Sequence, residues 1–174
     1  MPFLDRLSPA AAEIRAVNTI HHLDGKLIGH NTDYFGFQES LKEMLGNHVI
    51  EKALILGTGG SSKAVAYALK MMHIEFTYIS RNKKFLTYEE LTEEIIKDHH
   101  LIINTTPLGM YPKIDAAPLI NFTHLTDQHY CYDLIYNPEK TLFLIEAQNH
   151  GATIKNGYDM LLLQAEKSWQ IWNQ

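Results

Sequence analysis

Short, nearly unbroken apolar runs alternate along this chain with stretches in which apolar residues recur every three or four positions. The runs KALIL (52–56), IEFTYIS (74–80), LIINTT (101–106), HYCYDLIY (129–136) and ATIK (152–155) read as strands buried on both faces. Helical spacing is carried between and around them. Phe37, Leu41, Met44 and Leu45 mark a helix over 33–45 that Gly46 stops, and Val65, Ala68, Leu69 and Met72 mark one over 61–73. TYEELTEEIIKD (87–98) predicts a third helix, 140–149 a fourth, and GYDMLLLQAEKSWQIW (157–172) a closing helix with Leu161, Ala165, Trp169 and Trp172 near one face. Strands alternating with helices imply an α/β fold with a doubly wound parallel sheet. Upstream, Ser8-Pro9 has the form of an N-cap followed by proline at the first helical position, and Asp24-Gly25 joins strands 16–22 and 27–30 as a hairpin. A hairpin alone is marginal and 33 residues are too few for a second domain, so something must cover or extend it, and the opening reads as a piece whose earlier part lies upstream.

Composition narrows the function. With 45% hydrophobic and 20% charged residues the chain is an ordinary globular one, and its net charge of −5 with only three arginines (Arg6, Arg15, Arg81) offers no surface for nucleic acid. The single cysteine, Cys131, lies in a strand run and fits a buried thiol in a reducing compartment. No apolar run reaches the ~20 residues of a membrane span and no signal pattern opens the chain, which makes the cytoplasm the expected location. Ten histidines occur without metal-ligand spacing; His21, His22, His99 and His100 read as surface residues, and no metal site is expected.

The candidate chemistry centres on ALILGTGGSSKAV (53–65), a strand, a glycine turn and a helix start. Glycines let the backbone approach a pyrophosphate, and the helix N-terminus favours its charge; an ordinary turn is the bland alternative. Arg81 ends the next strand, 24 residues after Gly57, where a dinucleotide fold meets the adenosine ribose; arginine there pairs with a 2′-phosphate, and Lys83 and Lys84 add charge, unless the stretch is only a solvated basic turn. The loop NTTPLGM (104–110) belongs at the carboxyl ends of the strands, over a cofactor. Asp33, by composition alone, is a cap of the 33–45 helix.

Together AVNT (16–19), NTDYFG (31–36), GTGGSSKAV, SRN, NTTPLGM, DLIYNP with Thr141, and GYDMLLLQA resemble the shikimate dehydrogenase family, in its order and spacing over essentially the whole chain. The resemblance implies a Rossmann-like NADP-binding domain over 34–156, the remnant of the substrate domain over 1–33 and a closing helix, 157–174, that returns to it. It implies NADP-dependent, reversible reduction of 3-dehydroshikimate to shikimate in aromatic amino acid synthesis. Carried over by motif, Asn18, Thr32, Asp33, Tyr136 and Gln164 are substrate residues, with Asp33 half of the catalytic pair. Gly57, Thr58, Gly59, Gly60 and Ser61 form the pyrophosphate loop, and Ser80, Arg81, Asn82, Lys83 and Lys84 the 2′-phosphate end. Thr105, Leu134 and Gly157 line the nicotinamide. Two departures stand out: Ser80-Arg81-Asn82 replaces the family's Asn-Arg-Thr, with Phe85 at a later basic position, and the family's catalytic lysine and paired serines have no counterpart here. Quinate or a related hydroxy acid is the alternative substrate, a non-catalytic NADP-binding module the alternative class, and self-association through the partial first domain a further expectation.

Overall fold

The computed structural model describes residues 3–174. Strands β1 (Arg6–Leu7), β2 (Thr19–Leu23) and β3 (Lys26–His30) form a small sheet in the order β1-β3-β2, with β1 parallel and β2 antiparallel to β3. Between β1 and β2 lies helix α1 (Pro9–Ile14), whose N-cap Ser8 accepts from the Ala11 N–H at 3.2 Å. The β2–β3 turn places Asp24 at φ 50° and Gly25 at φ 74°, the left-handed pair that a tight two-residue hairpin demands.

Helix α2 (Asp33–Leu45) leads out of this sheet, burying Phe37, Leu41 and Leu45 and ending at Gly46. The N-cap position belongs to Thr32, so Asp33 is the first helical residue and not the cap; no side chain of the Thr32 position bonds the helix end, and Asn31 Oδ1 accepts from the Tyr34 N–H instead. Strands β4 (Lys52–Leu56), β5 (Glu75–Ile79), β6 (Leu101–Asn104), β7 (Tyr130–Asp133) and β8 (Thr153–Lys155) then form a parallel sheet in the order β5-β4-β6-β7-β8. Alternation along each strand feeds two cores. Ala53, Ile55, Leu101, Ile103 and Tyr132 face α2, α3 (Gly60–Met71) and Met160 of α6 (Tyr158–Trp172). Leu54, Leu56, Ile102 and the buried Cys131 face α4 (Glu93–Asp98) and α5 (Leu142–Asn149). Cover on both faces is why the central strands β4 and β6 are so apolar, while the edge strands β5 and β8 carry Glu75, Thr77, Thr153 and Lys155.

Three local expectations are corrected. Residues 87–98 are not one helix: a 3₁₀ turn, Tyr88–Glu90, is closed by a Thr87–Glu90 capping box, Leu91 and Thr92 are extended, and Thr92 caps a separate α4. Each threonine offers the backbone a local bond that ends helical pairing. Helix α6 turns Met160, Ser168 and Ile171 inward and leaves Trp169 and Trp172 exposed, because its inner face is fastened by polar contacts to the small sheet: Ser168 Oγ meets Thr19 Oγ1 at 2.6 Å and Trp172 Nε1 donates to the Ile20 carbonyl at 2.9 Å. His21, expected at the surface, is buried on β2 beside His30.

Candidate active site

The chain leaves β4 for β5 on one side and later takes up β6 on the other, so the carboxyl ends of β4 and β6 flank the crevice where open parallel sheets bind ligands. Gly57 follows β4 at φ 105°, and a Cβ there would sit 2.9 Å from Thr105 Oγ1; only glycine allows this approach. Thr105 closes the other side by donating to the Leu56 carbonyl at 2.7 Å. Beyond the turn, a Cβ at Gly59 or Gly60 would meet nothing within 4 Å, and no side chain caps the start of α3. This bare, positively polarised helix end is a cradle that fits a pyrophosphate.

A cavity of about 530 Å³ lies here, lined by Gly57, Thr58, Gly59, Ser80, Arg81 and Thr105 and by Thr106, Pro107 and Leu108 of the loop expected over a cofactor, and also by Tyr88, Ala117 and Leu119, which were not expected. Its size is within the ~300–1,000 Å³ of small-molecule sites. Asn82, Lys83 and Lys84 do not line it. The chain doubles back after β5, with Ile79 bridged to Leu86, and the Asn82 side chain accepts from the Lys84 N–H at 3.1 Å, which turns these residues onto the exposed outside of the bend. Gly60 opens α3, while Ser61 and Leu134 line a second cavity of about 510 Å³ together with Thr105, Thr106 and Tyr136.

The loop between the two cavities is held from below. Asn104, fully buried, accepts from Thr106 N–H (3.0 Å) and Thr106 Oγ1 (2.7 Å) and donates to Asp133 Oδ1 at 3.1 Å. Asp133, also fully buried, accepts further from the Ile135 N–H at 3.0 Å and from Thr141 Oγ1 at 2.6 Å. Burial pushes the Asp133 carboxyl up to about 6, with the bonds from Thr141, Ile135 and Asn104 opposing it. The folded protein therefore keeps this proton between about pH 4 and pH 6, where the unfolded chain has lost it, so this group's contribution to stability falls as pH rises through that window, by about 3 kcal/mol at most. Comparing denaturant unfolding of the protein and of Asp133→Asn at pH 4.5 and 7 is expected to show this fall in the former alone; equal pH dependence in both would contradict it.

At the far end, Asn18, Asp33, Leu134, Tyr136, Gly157 and Gln164 surround a smaller cavity of about 210 Å³. Asn18 is its organiser. Its Oδ1 accepts from the Thr32 N–H at 2.8 Å, which fixes the amide so that Nδ2 donates to Asp33 Oδ1 at 2.8 Å. Burial raises the Asp33 carboxyl above its ordinary range while the Asn18 bond pulls it down. Thr32, expected as a substrate residue, is buried beneath the cavity and does not line it: its hydroxyl meets Ser168 Oγ at 3.0 Å and Gln164 Oε1 at 3.3 Å. Together with Thr19 these groups form a buried hydroxyl network that ties Gln164 of α6 to the Asn18 loop. Sequence reasoning missed Thr19 and Ser168 as supports. Gly157 lies directly on Leu134, where a Cβ would come within 2.0 Å of the Leu134 carbonyl oxygen.

A shikimate dehydrogenase (NADP(+)) of Pelagibacter ubique is 41% identical over 184 residues, covering the whole chain and 68% of that protein. The chain belongs to the shikimate dehydrogenase family. A second shikimate dehydrogenase (NADP(+)), from Desulforamulus reducens, is 39% identical over 194 residues and covers 99% of the chain and 66% of its own length. The crystal structure of the Listeria monocytogenes shikimate 5-dehydrogenase in complex with shikimate and NAD matches with a TM-score of 0.88 and 30% identity, over 99% of this chain and 68% of that one. No protein-family model matches. The chain thus spans about two thirds of the length of its shikimate dehydrogenase relatives. Along this member of the family the three cavities share walls: Thr105, Thr106 and Pro107 join the first two, and Leu134 and Tyr136 join the second to the third.

Proposed function

We propose that the cleft binds NADP(H) along its length and shikimate or 3-dehydroshikimate at its Asp33 end, and that the chain serves the reversible NADP-dependent reduction of 3-dehydroshikimate to shikimate in aromatic amino acid synthesis. The observation that carries this reading is a single cleft with a guanidinium at one end, an open glycine cradle behind it, and Asn18, Asp33 and Gln164 converging on the other. Gly57, Thr58, Gly59, Gly60 and Ser61 hold the pyrophosphate by backbone N–H groups, Ser80 and Arg81 the 2′-phosphate, and Thr105, Leu134 and Gly157 the nicotinamide. When bound, the cofactor supplies or accepts the hydride. Asn18, Asp33, Tyr136 and Gln164 take the substrate hydroxyls. Asp33 is the proton-handling group, since among the described residues it is the only carboxyl on the cavity, and it accepts a hydrogen bond from Asn18. Thr32 acts at one remove, by holding the Asn18 and Gln164 amides in place. The domain division at 33 and 156, a cytoplasmic location, and self-association through the exposed Leu7, Ile20, Leu23 and Leu27 of the small sheet belong to the same reading.

Calorimetric titration of shikimate into the protein saturated with NADP⁺ is expected to show one site that weakens about tenfold or more in Gln164→Ala, which removes an amide from the cavity. No heat from shikimate, or a Gln164→Ala variant that binds as the unaltered protein does, would contradict the substrate assignment.

A further inference from the structure

We propose that Tyr88 is a ligand of the cofactor's 2′-phosphate, supplying with its phenol hydroxyl a further donor beside Arg81 and Ser80. This rests on the NADP reading above and deepens it at one end of the cleft. Among the described residues Arg81 is the only cationic side chain that lines the first cavity; Lys83 and Lys84 are exposed and do not line it. Phe85 does not contribute either, since its ring packs edge-on against Tyr78 at 5.6 Å, on the outer side of β5. A phosphate dianion has more acceptor sites than one guanidinium fork can fill. The groups left to fill them are hydroxyls: Ser80 Oγ accepts from the Asn82 N–H at 3.2 Å and keeps its own proton to donate, and the phenol of Tyr88 adds another donor.

Tyr88 is brought to Arg81 by the fold and not by sequence neighbourhood. Ser80 N–H donates to the Leu86 carbonyl at 2.9 Å as the chain doubles back, and the 3₁₀ turn that follows sets Tyr88 against the end of β5. Glu90 Oε2 locks that turn by accepting from both Thr87 N–H and Thr87 Oγ1 at 2.8 Å. Tyr88 is partly buried against the core cluster that includes Leu54, Leu56 and Ile79, and it lines the cavity together with Arg81. Burial raises the phenol's pKa, while the Arg81 charge lowers it, which places the hydroxyl within the field of the guanidinium. A phenol shifted in that direction stays neutral at physiological pH. It therefore donates to a phosphate without repelling it.

Tyr88→Phe keeps the ring and removes the donor. The test compares NADPH, NADH, 2′,5′-ADP and 5′-ADP as ligands of the unaltered protein, of Tyr88→Phe and of Arg81→Leu, with thermal melts as a check on folding. Expected is an approximately tenfold loss of NADPH and 2′,5′-ADP affinity in Tyr88→Phe, with NADH, 5′-ADP and the melting temperature unchanged. Unchanged NADPH affinity in Tyr88→Phe while Arg81→Leu loses it would overturn the role of Tyr88 and leave the NADP reading standing. Equal losses for NADPH and NADH would overturn it too, by assigning the hydroxyl to the adenosine that both cofactors share. No preference for NADPH in the unaltered protein would remove the reading on which the inference rests.

Discussion

The 174-residue chain, given NADP⁺ and shikimate, is expected to bind both and yet to form NADPH about 10²- to 10⁴-fold more slowly than a full-length relative assayed beside it. The reason lies in what lines the Asp33 cavity. Among the described residues its walls are Asn18, Asp33, Leu134, Tyr136, Gly157, Met160, Leu161 and Gln164, with no cationic side chain. When hydride moves to or from the carbon, the oxygen beside it gains or loses negative charge. An ammonium group stabilises that charge, whereas a carboxylate opposes it. Burial of Asp33 moves its carboxyl towards the protonated form, which helps in the right direction but supplies no positive charge. Steady-state NADPH formation at saturating ligands measures this. A rate equal to that of the relative would mean that another group, such as Lys26 or one of the histidines, handles the proton.

Arg81→Leu is expected to weaken NADPH binding by about 1.5–3 kcal/mol, a loss of roughly ten- to more than a hundredfold, and to leave NADH nearly unchanged. Because Lys83 and Lys84 are outside the cavity, no other cation lining it can take over. Were the lysines part of the site, as their sequence position suggests, the loss would be much smaller. Arg81 is exposed, so part of the attraction is screened by salt, and the difference between the cofactors should narrow as ionic strength rises. Fluorescence titration of both cofactors at low and high salt checks it; equal weakening of NADPH and NADH, or no weakening of either, would contradict the assignment.

The parallel sheet was legible because both faces of its central strands are covered, so β4 and β6 are nearly solid apolar runs. The glycine cradle was legible for the same local reason. Gly57 and Thr105 follow strands directly and Arg81 comes two residues after β5, and the position just after a parallel strand is also the position over the cleft. Asp33 was read as a cap from its place before a helix, but the N-cap is Thr32; a shift of one residue along the backbone turned a structural carboxylate into one that faces a cavity. Lys83 and Lys84 are neighbours of Arg81 in sequence but do not line the cavity, whereas the bend that bridges Ile79 to Leu86 brings Tyr88 to its wall, a neighbour that sequence distance hides. The hydroxyl network of Thr19, Thr32 and Ser168 was invisible for a different reason. It joins residues 149 positions apart through serine and threonine, types that carry no signal of burial, and it also accounts for the inner face of α6.

Transfer of a label between the two ligands tests the central claim most directly, because it is insensitive to how slow the reaction is. NADPH carrying deuterium at the reacting carbon of its nicotinamide, incubated with 3-dehydroshikimate and an equimolar amount of the protein, is expected to yield shikimate one mass unit heavier at the carbon that gains the hydride. The label should fail to appear with Asp33→Asn, which keeps the side chain's shape while removing its charge and proton. Labelled NADH should give far less. Shikimate without deuterium, or label at the level of a protein-free control after many hours, would contradict a hydride-transfer site in this cleft.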